Sequence, residues 1–84
     1  MIISVTADHI MRSIPGSRCF CPIALAIKDA FGPVLINVDV KDYGITIQTT
    51  SNTHYYQMPS KVLHFVRRFD ARLPVVSFEF ELPL

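Results

Sequence analysis

Only three glycines occur in the 84 residues, Gly16, Gly32 and Gly44, and each is isolated. None builds the glycine-rich turn that cradles a phosphate at a helix N-terminus, so nucleotide binding is not indicated and no cofactor is expected. Cysteine is equally sparse. Cys19 and Cys21 are separated by one residue, a spacing poorly suited to an ordinary structural disulfide, and two thiols do not make a disulfide scaffold, so reduced thiols are expected. A zinc site would have to combine them with His9, His54 or His64, which sit on different elements, while the second ligand pair of a structural zinc motif is missing. No metal is expected. Long apolar runs are lacking too: the longest, CPIALAI, is interrupted by Lys28 and Asp29, well short of the roughly 18 residues a membrane-spanning helix needs. The opening MIISVTADHI carries Asp8 and His9 and has neither a basic leader nor a continuous apolar region, so it does not read as a signal peptide and a cytoplasmic protein is expected. The formal charge is only +1, which gives no global pull towards nucleic acid or anionic membrane and leaves any electrostatic choice of partner to local patches.

Half of the residues are apolar, enough for one core, and 84 residues predict a single domain with little room for a deep substrate cavity; size alone argues against an independent enzyme. Ile2 to Val5 is a short β-branched run. Thr6 suits an N-cap, with Asp8 in the first turn and Ile10, Met11 and Ile14 at helical spacing until Pro15 and Gly16 stop the helix. Pro22 suits the first position of a second helix, Gly32 the left-handed position after its last turn, and Pro33 prevents continuation. On this helix Ile23, Ile27, Ala30 and Phe31 share the core face, Ala24 and Ala26 flank it, and Leu25, Lys28 and Asp29 point away.

Val34, Ile36, Val38 and Val40 alternate with Leu35, Asn37 and Asp39 in the period-two pattern of a half-buried strand. A turn at Lys41–Gly44 leads to a second alternating run from Ile45 to Thr50, and Ser51 and Asn52 turn the chain into a third strand, Thr53 to Met58. Pro59 opens the last helix, where Val62, Phe65, Val66 and Phe69 fall at i, i+3, i+4 and i+7; Leu73 and Pro74 end it. In the closing VVSFEFEL, Val76, Phe78, Phe80 and Leu82 face one way and Val75, Ser77, Glu79 and Glu81 the other. The order β-α-α-β-β-β-α-β, with every strand apolar on one face, predicts a two-layer α+β domain: a mainly antiparallel sheet with helices on one face. Phe31, Ile36, Val38, Ile47, Phe65, Phe69, Phe78 and Phe80 should share its core. Asn37, Asp39, Thr46, Gln48, Thr53, Tyr55, Gln57, Ser77, Glu79 and Glu81 should lie on the open face.

For nucleophilic catalysis a thiol needs a nearby base and an orienting carboxylate. Cys21, His9 or His64, and Asp70 are the residues from which such a set would be drawn, but no local signature joins them; the plain reading is that Cys21 caps or packs beneath the second helix. Glu79 and Glu81 are close enough for acid/base work, yet read as solvated; no catalytic set is expected. The last helix says more. Arg68 and Arg72 each project within about 20° of Lys61, the three spanning roughly 16 Å along the helix, with His64 close by and no acidic residue interleaved. A surface helix of purely structural role usually alternates charge at i,i+4, so this basic line suits an anionic partner, either a phosphate backbone or an acidic protein surface. The plain alternative is that Arg72 serves the helix dipole and carboxylates elsewhere neutralise the others. Opposite it, Asp39, Glu79 and Glu81 should form an acidic sheet face, suited to basic channels or merely protecting an edge. Tyr43, Tyr55 and Tyr56 are candidate interface anchors.

The stretches VTADHI, CPIALAIKDAFG and MPSKVLHFVRRFDARLPVVSFEFEL resemble small proteins encoded by bacteriophages and prophages. The resemblance covers about half the chain and rests on fold-determining residues, so it brings no catalytic set. Phage proteins of this size often act by occupying a host machine, and anti-CRISPR proteins are such a class. What the resemblance implies is a counter-defence protein, monomeric or a small homo-oligomer, that binds a host protein or ribonucleoprotein complex of CRISPR-Cas type stoichiometrically. Its binding residues would be drawn from Lys61, Arg68, Arg72, Tyr55, Glu79 and Glu81. A small nucleic-acid-binding accessory protein using the basic helix is the alternative.

Overall fold

The structure, a computed structural model, describes residues 1–83. It is an α+β arrangement in which β1 (Ile2–Val5), α1 (Ala7–Arg12), α2 (Pro22–Phe31), a short 3-10 turn (Gly32–Val34), β2 (Leu35–Lys41), β3 (Gly44–Thr49), β4 (Thr53–Gln57), α3 (Ser60–Asp70) and β5 (Phe78–Glu81) follow in order. Its strands do not form one sheet. β2, β3 and β4 make an antiparallel meander, and β1 pairs separately with β5.

Local chemistry sets most of the boundaries. Thr6 caps α1, its hydroxyl accepting from the His9 N–H at 3.3 Å while His9 Nδ1 accepts from the Thr6 N–H at 3.0 Å, a capping box closed by histidine. Cys21 caps α2: its sulfur accepts from the Ala24 N–H at 3.4 Å, and Pro22 takes the first turn. Gly32, at φ 66°, ends that helix in a region L side chains rarely adopt. Gly44 is needed for a different reason, since a Cβ there would meet the Tyr56 carbonyl oxygen at 2.9 Å across the β3–β4 pair.

Ile3, Val5, Ile23, Ala24, Ala26, Ile27, Val38, Val40, Ile45, Ile47, Val62, Phe65, Val66, Phe80 and Leu82 are buried together, with Phe31, Phe69 and Phe78 packed against them. The meander's outer face carries Asn37, Asp39, Thr46, Gln48, Thr53, Tyr55 and Gln57, as the alternation predicts.

Several expectations fail for identifiable reasons. α1 ends at Arg12, short of Ile14, and of Ile10, Met11 and Ile14 only Ile10 packs against the core, while Met11 points outward from the helix and Ile14 lies beyond it, both exposed. Ala30 is also exposed: α2 packs against both β1 and β2, which turns Ala24 and Ala26 inward. Ile36 lies outside the core, because the register shifts between Leu35 and Asn37 and Val34 belongs to the 3-10 turn. Val76 is 79% exposed. Its alternating pattern extends upstream of β5, but β1 offers partners only for Phe78 to Glu81, so Leu73 to Ser77 remain outside any strand.

Candidate functional site

α3 is amphipathic, burying Val62, Phe65 and Val66. The Phe65 ring lies 4.6 Å from that of Phe78 on β5, which ties the helix to the end of the chain. Between them the returning segment does not close down on the helix, and a cleft of about 370 Å³ remains. Its walls are Phe65 from α3 and Pro74, Val75, Val76 and Phe78 from the segment that follows. Lys61, His64 and Arg68 also line it, and among the described residues no carboxylate does.

These residues rearrange the basic line expected from the sequence. Lys61 holds its ammonium 5.7 Å from the centre of the Phe78 ring, within the range of cation–π attraction. Arg68 donates from Nε at 3.3 Å and Nη2 at 2.9 Å to the Pro74 carbonyl, clamping the segment that forms the opposite wall. Two of its five donors are thus engaged while the charge and the other donors stay available. Arg72 leaves the line altogether. α3 ends at Asp70; the Leu73 N–H donates to the Arg68 carbonyl and the Arg72 N–H to that of Phe69, a Schellman closure with Arg72 itself at φ 61°. The expected continuous ridge of three cations therefore becomes two cations over an apolar trough.

The acidic face is corrected as well. Glu79 and Glu81 are exposed on β5, and Glu79 accepts from the Ser4 hydroxyl at 3.0 Å across the β1–β5 pair. Asp39 belongs to the other sheet, where Arg18 and Lys41 each approach within 3.5 Å, so it adds no net negative field to the glutamates. Tyr55 is 79% exposed on the meander's outer face, across from Thr46; Tyr43 is exposed in its turn beside Lys41, and Tyr56 faces inward against the core.

A second cleft, of about 360 Å³, opens between the loop at Gly16–Arg18, the β2–β3 turn and the end of α3, with Cys21 and Asp70 among its lining residues. Its charges are largely matched internally: Arg18 and Lys41 pair with Asp39, and Asp70 accepts from the Gly16 N–H at 2.9 Å. Burial pushes the Cys21 thiol above its ordinary pKa, which favours the protonated, poorly nucleophilic form. His9 and His64 lie elsewhere. His9 is buried with Nδ1 engaged by the Thr6 backbone and Nε2 2.6 Å from an Asp29 carboxylate oxygen, so the proton sits on Nε2 and is donated to Asp29. Cys21, His9 and Asp70 thus have separate structural partners, and His64 lines the other cleft.

Sequence reasoning missed the trough, because it depends on where residues 73–77 run rather than on any periodicity. The one available signal was Val75–Val76 directly after Pro74, an apolar pair beside the basic helix. Among the described residues no three His, Cys, Asp or Glu side chains gather as metal ligands, and no helix is long and apolar enough to cross a membrane. The chain matches no family model, no curated protein and no solved structure.

Proposed function

We propose that the chain acts by binding a protein partner in the trough between α3 and the 73–78 segment. The carrying observation is one cleft that combines apolar walls, including Val76 at 79% exposure, with Lys61, His64 and Arg68 and, among the described residues, no carboxylate. An apolar side chain flanked by carboxylates complements both features. Seating it would cover the exposed Val76, a gain of about 1.5 kcal/mol for full burial, and complete the cover of the half-buried Val75. The flanking carboxylates would meet Lys61 and Arg68 and fix orientation and on-rate more than affinity. The resemblance to phage-encoded proteins sets this binding in counter-defence: stoichiometric inhibition of a host CRISPR-Cas ribonucleoprotein by occupancy, with Glu79 and Glu81 as a second contact surface.

The test is capture of the partner from a bacterial lysate, with and without nuclease, followed by a titration of the captured complex's activity. Capture should survive nuclease, inhibition should saturate near one chain per complex, and Val76→Asp and Arg68→Glu should each abolish both while Cys21→Ser changes neither. Capture lost on nuclease treatment, with duplex binding that falls steeply as salt rises, would replace this reading with the nucleic-acid one. Loss of activity in folded Cys21→Ser would reopen catalysis.

A further inference from the structure

β4 lies at one side of the meander, paired with β3 and with no other strand among the described residues. Its hydrogen-bonding parity determines which backbone groups face outward. The Thr49 N–H donates to the Asn52 carbonyl at 2.8 Å across the turn, and opposed residues in an antiparallel pair alternate between bonded and non-bonded. Ile47–His54 and Ile45–Tyr56 are therefore the bonded pairs of the β3–β4 register. Thr53, Tyr55 and Gln57 turn their N–H and C=O groups away from β3, towards the unpaired edge.

β5 has a different edge. Met1 and Leu82 exchange hydrogen bonds of 2.8 and 2.9 Å, so Ile2–Glu81 and Ser4–Glu79 are non-bonded pairs and the outward groups of β5 belong to the two glutamates. Charged residues, prolines and bulges are the usual protections of an open strand edge. β5 has a carboxylate at each outward position. β4, Thr-His-Tyr-Tyr-Gln, has no formally charged side chain at neutral pH with His54 neutral, no proline, and an unshifted register with β3.

That edge is also complementary to itself. A second copy of β4 laid antiparallel about a two-fold axis at Tyr55 sets Tyr55 opposite its counterpart, and Thr53 opposite Gln57 on either side. These are three bonded pairs, each exchanging two backbone hydrogen bonds. Between them His54 faces Tyr56 in the non-bonded positions, where side chains approach most closely. No like charges oppose one another, and the exposed Tyr55 side chains cover each other. We infer that the chain self-associates through β4 into a two-fold dimer, joining two three-stranded meanders into one continuous sheet. Such a contact is isologous and closed, so it ends at two copies.

Sedimentation velocity across a concentration series, combined with residue-resolved amide exchange on the unaltered chain, tests this. The expected result is a monomer–dimer equilibrium in which the Thr53, Tyr55 and Gln57 amides slow as concentration rises while those of Glu79 and Glu81 do not. Tyr55→Lys, at an exposed site, should leave the circular dichroism unchanged and weaken association at least about tenfold, through like charges at the axis and the lost tyrosine pair. Glu79→Gln should leave association unchanged. A chain that sediments as a monomer at every concentration, or that dimerises while the three β4 amides remain fast, overturns the inference. Val76→Asp lies in the trough and should not alter association, so failure of the dimer and failure of partner binding are read separately.

Discussion

α2 and α3 differ in what covers them. α2 packs against β1 and β2 of separate sheets and buries Pro22, Ile23, Ala24, Ala26 and Ile27, with aliphatic side chains throughout. α3 buries Val62, Phe65 and Val66 but is covered on one flank only by the looping segment after Leu73, and there apolar walls remain in solvent. Helix amphipathicity alone does not separate the two cases. The difference lies in whether a strand is available to complete the layer, and in α3 it is not, because β1 pairs only with Phe78 to Glu81. The enclosed helix holds the fold together, and the half-covered helix presents a surface.

Substitution on each side should sharpen this contrast. Ile27 is fully buried, and Ile27→Ala should cost about 2 to 5 kcal/mol in urea denaturation, whereas Val76→Ala should stay within about 0.5 kcal/mol because little is buried there to lose. Equal losses at both positions would erase the distinction. A smaller effect is expected at the polar link between α1 and α2. Removing the carboxylate in Asp29→Ala leaves the buried His9 Nε2–H without its partner and should cost about 1 to 2 kcal/mol. A difference under a few tenths of a kcal/mol would mean that the pair does not brace the helices. The effect at the end of α3 should have the opposite sign. Arg72 occupies the left-handed position of the α3 closure, where glycine carries no Cβ penalty, so Arg72→Gly should raise stability by about 0.5 to 1 kcal/mol by thermal or urea unfolding and leave partner capture unchanged.

The legibility of the sequence followed the range of the interaction. Thr6, Cys21–Pro22 and Gly32 mark helix ends through contacts within a few residues, and the hairpins turn at adjacent residues, so caps, helices and meander could be read directly. The α+β class followed from their order. What could not be read was set at long range. The pairing of β1 with β5 across almost the whole chain divides the strands into two sheets and strands Val76 outside both. His9 finds Asp29 twenty positions away. Asp39 meets Arg18 from a loop without regular pattern. Of the expected basic line, Lys61 and Arg68 were placed correctly on α3, but Arg72 was projected along a helix that had already ended. The trough itself had no periodic signature, only an apolar pair following a proline.

The most direct test of the α3 surface is amide chemical-shift mapping with two short synthetic peptides, one with a phenylalanine flanked by aspartate and glutamate, the other with the same phenylalanine flanked by lysines. Shifts from the acidic peptide should centre on Lys61, His64, Phe65, Arg68, Val75, Val76 and Phe78, weaken as salt rises and be absent in Val76→Asp. Shifts located elsewhere, or equal responses to the two peptides, would contradict it.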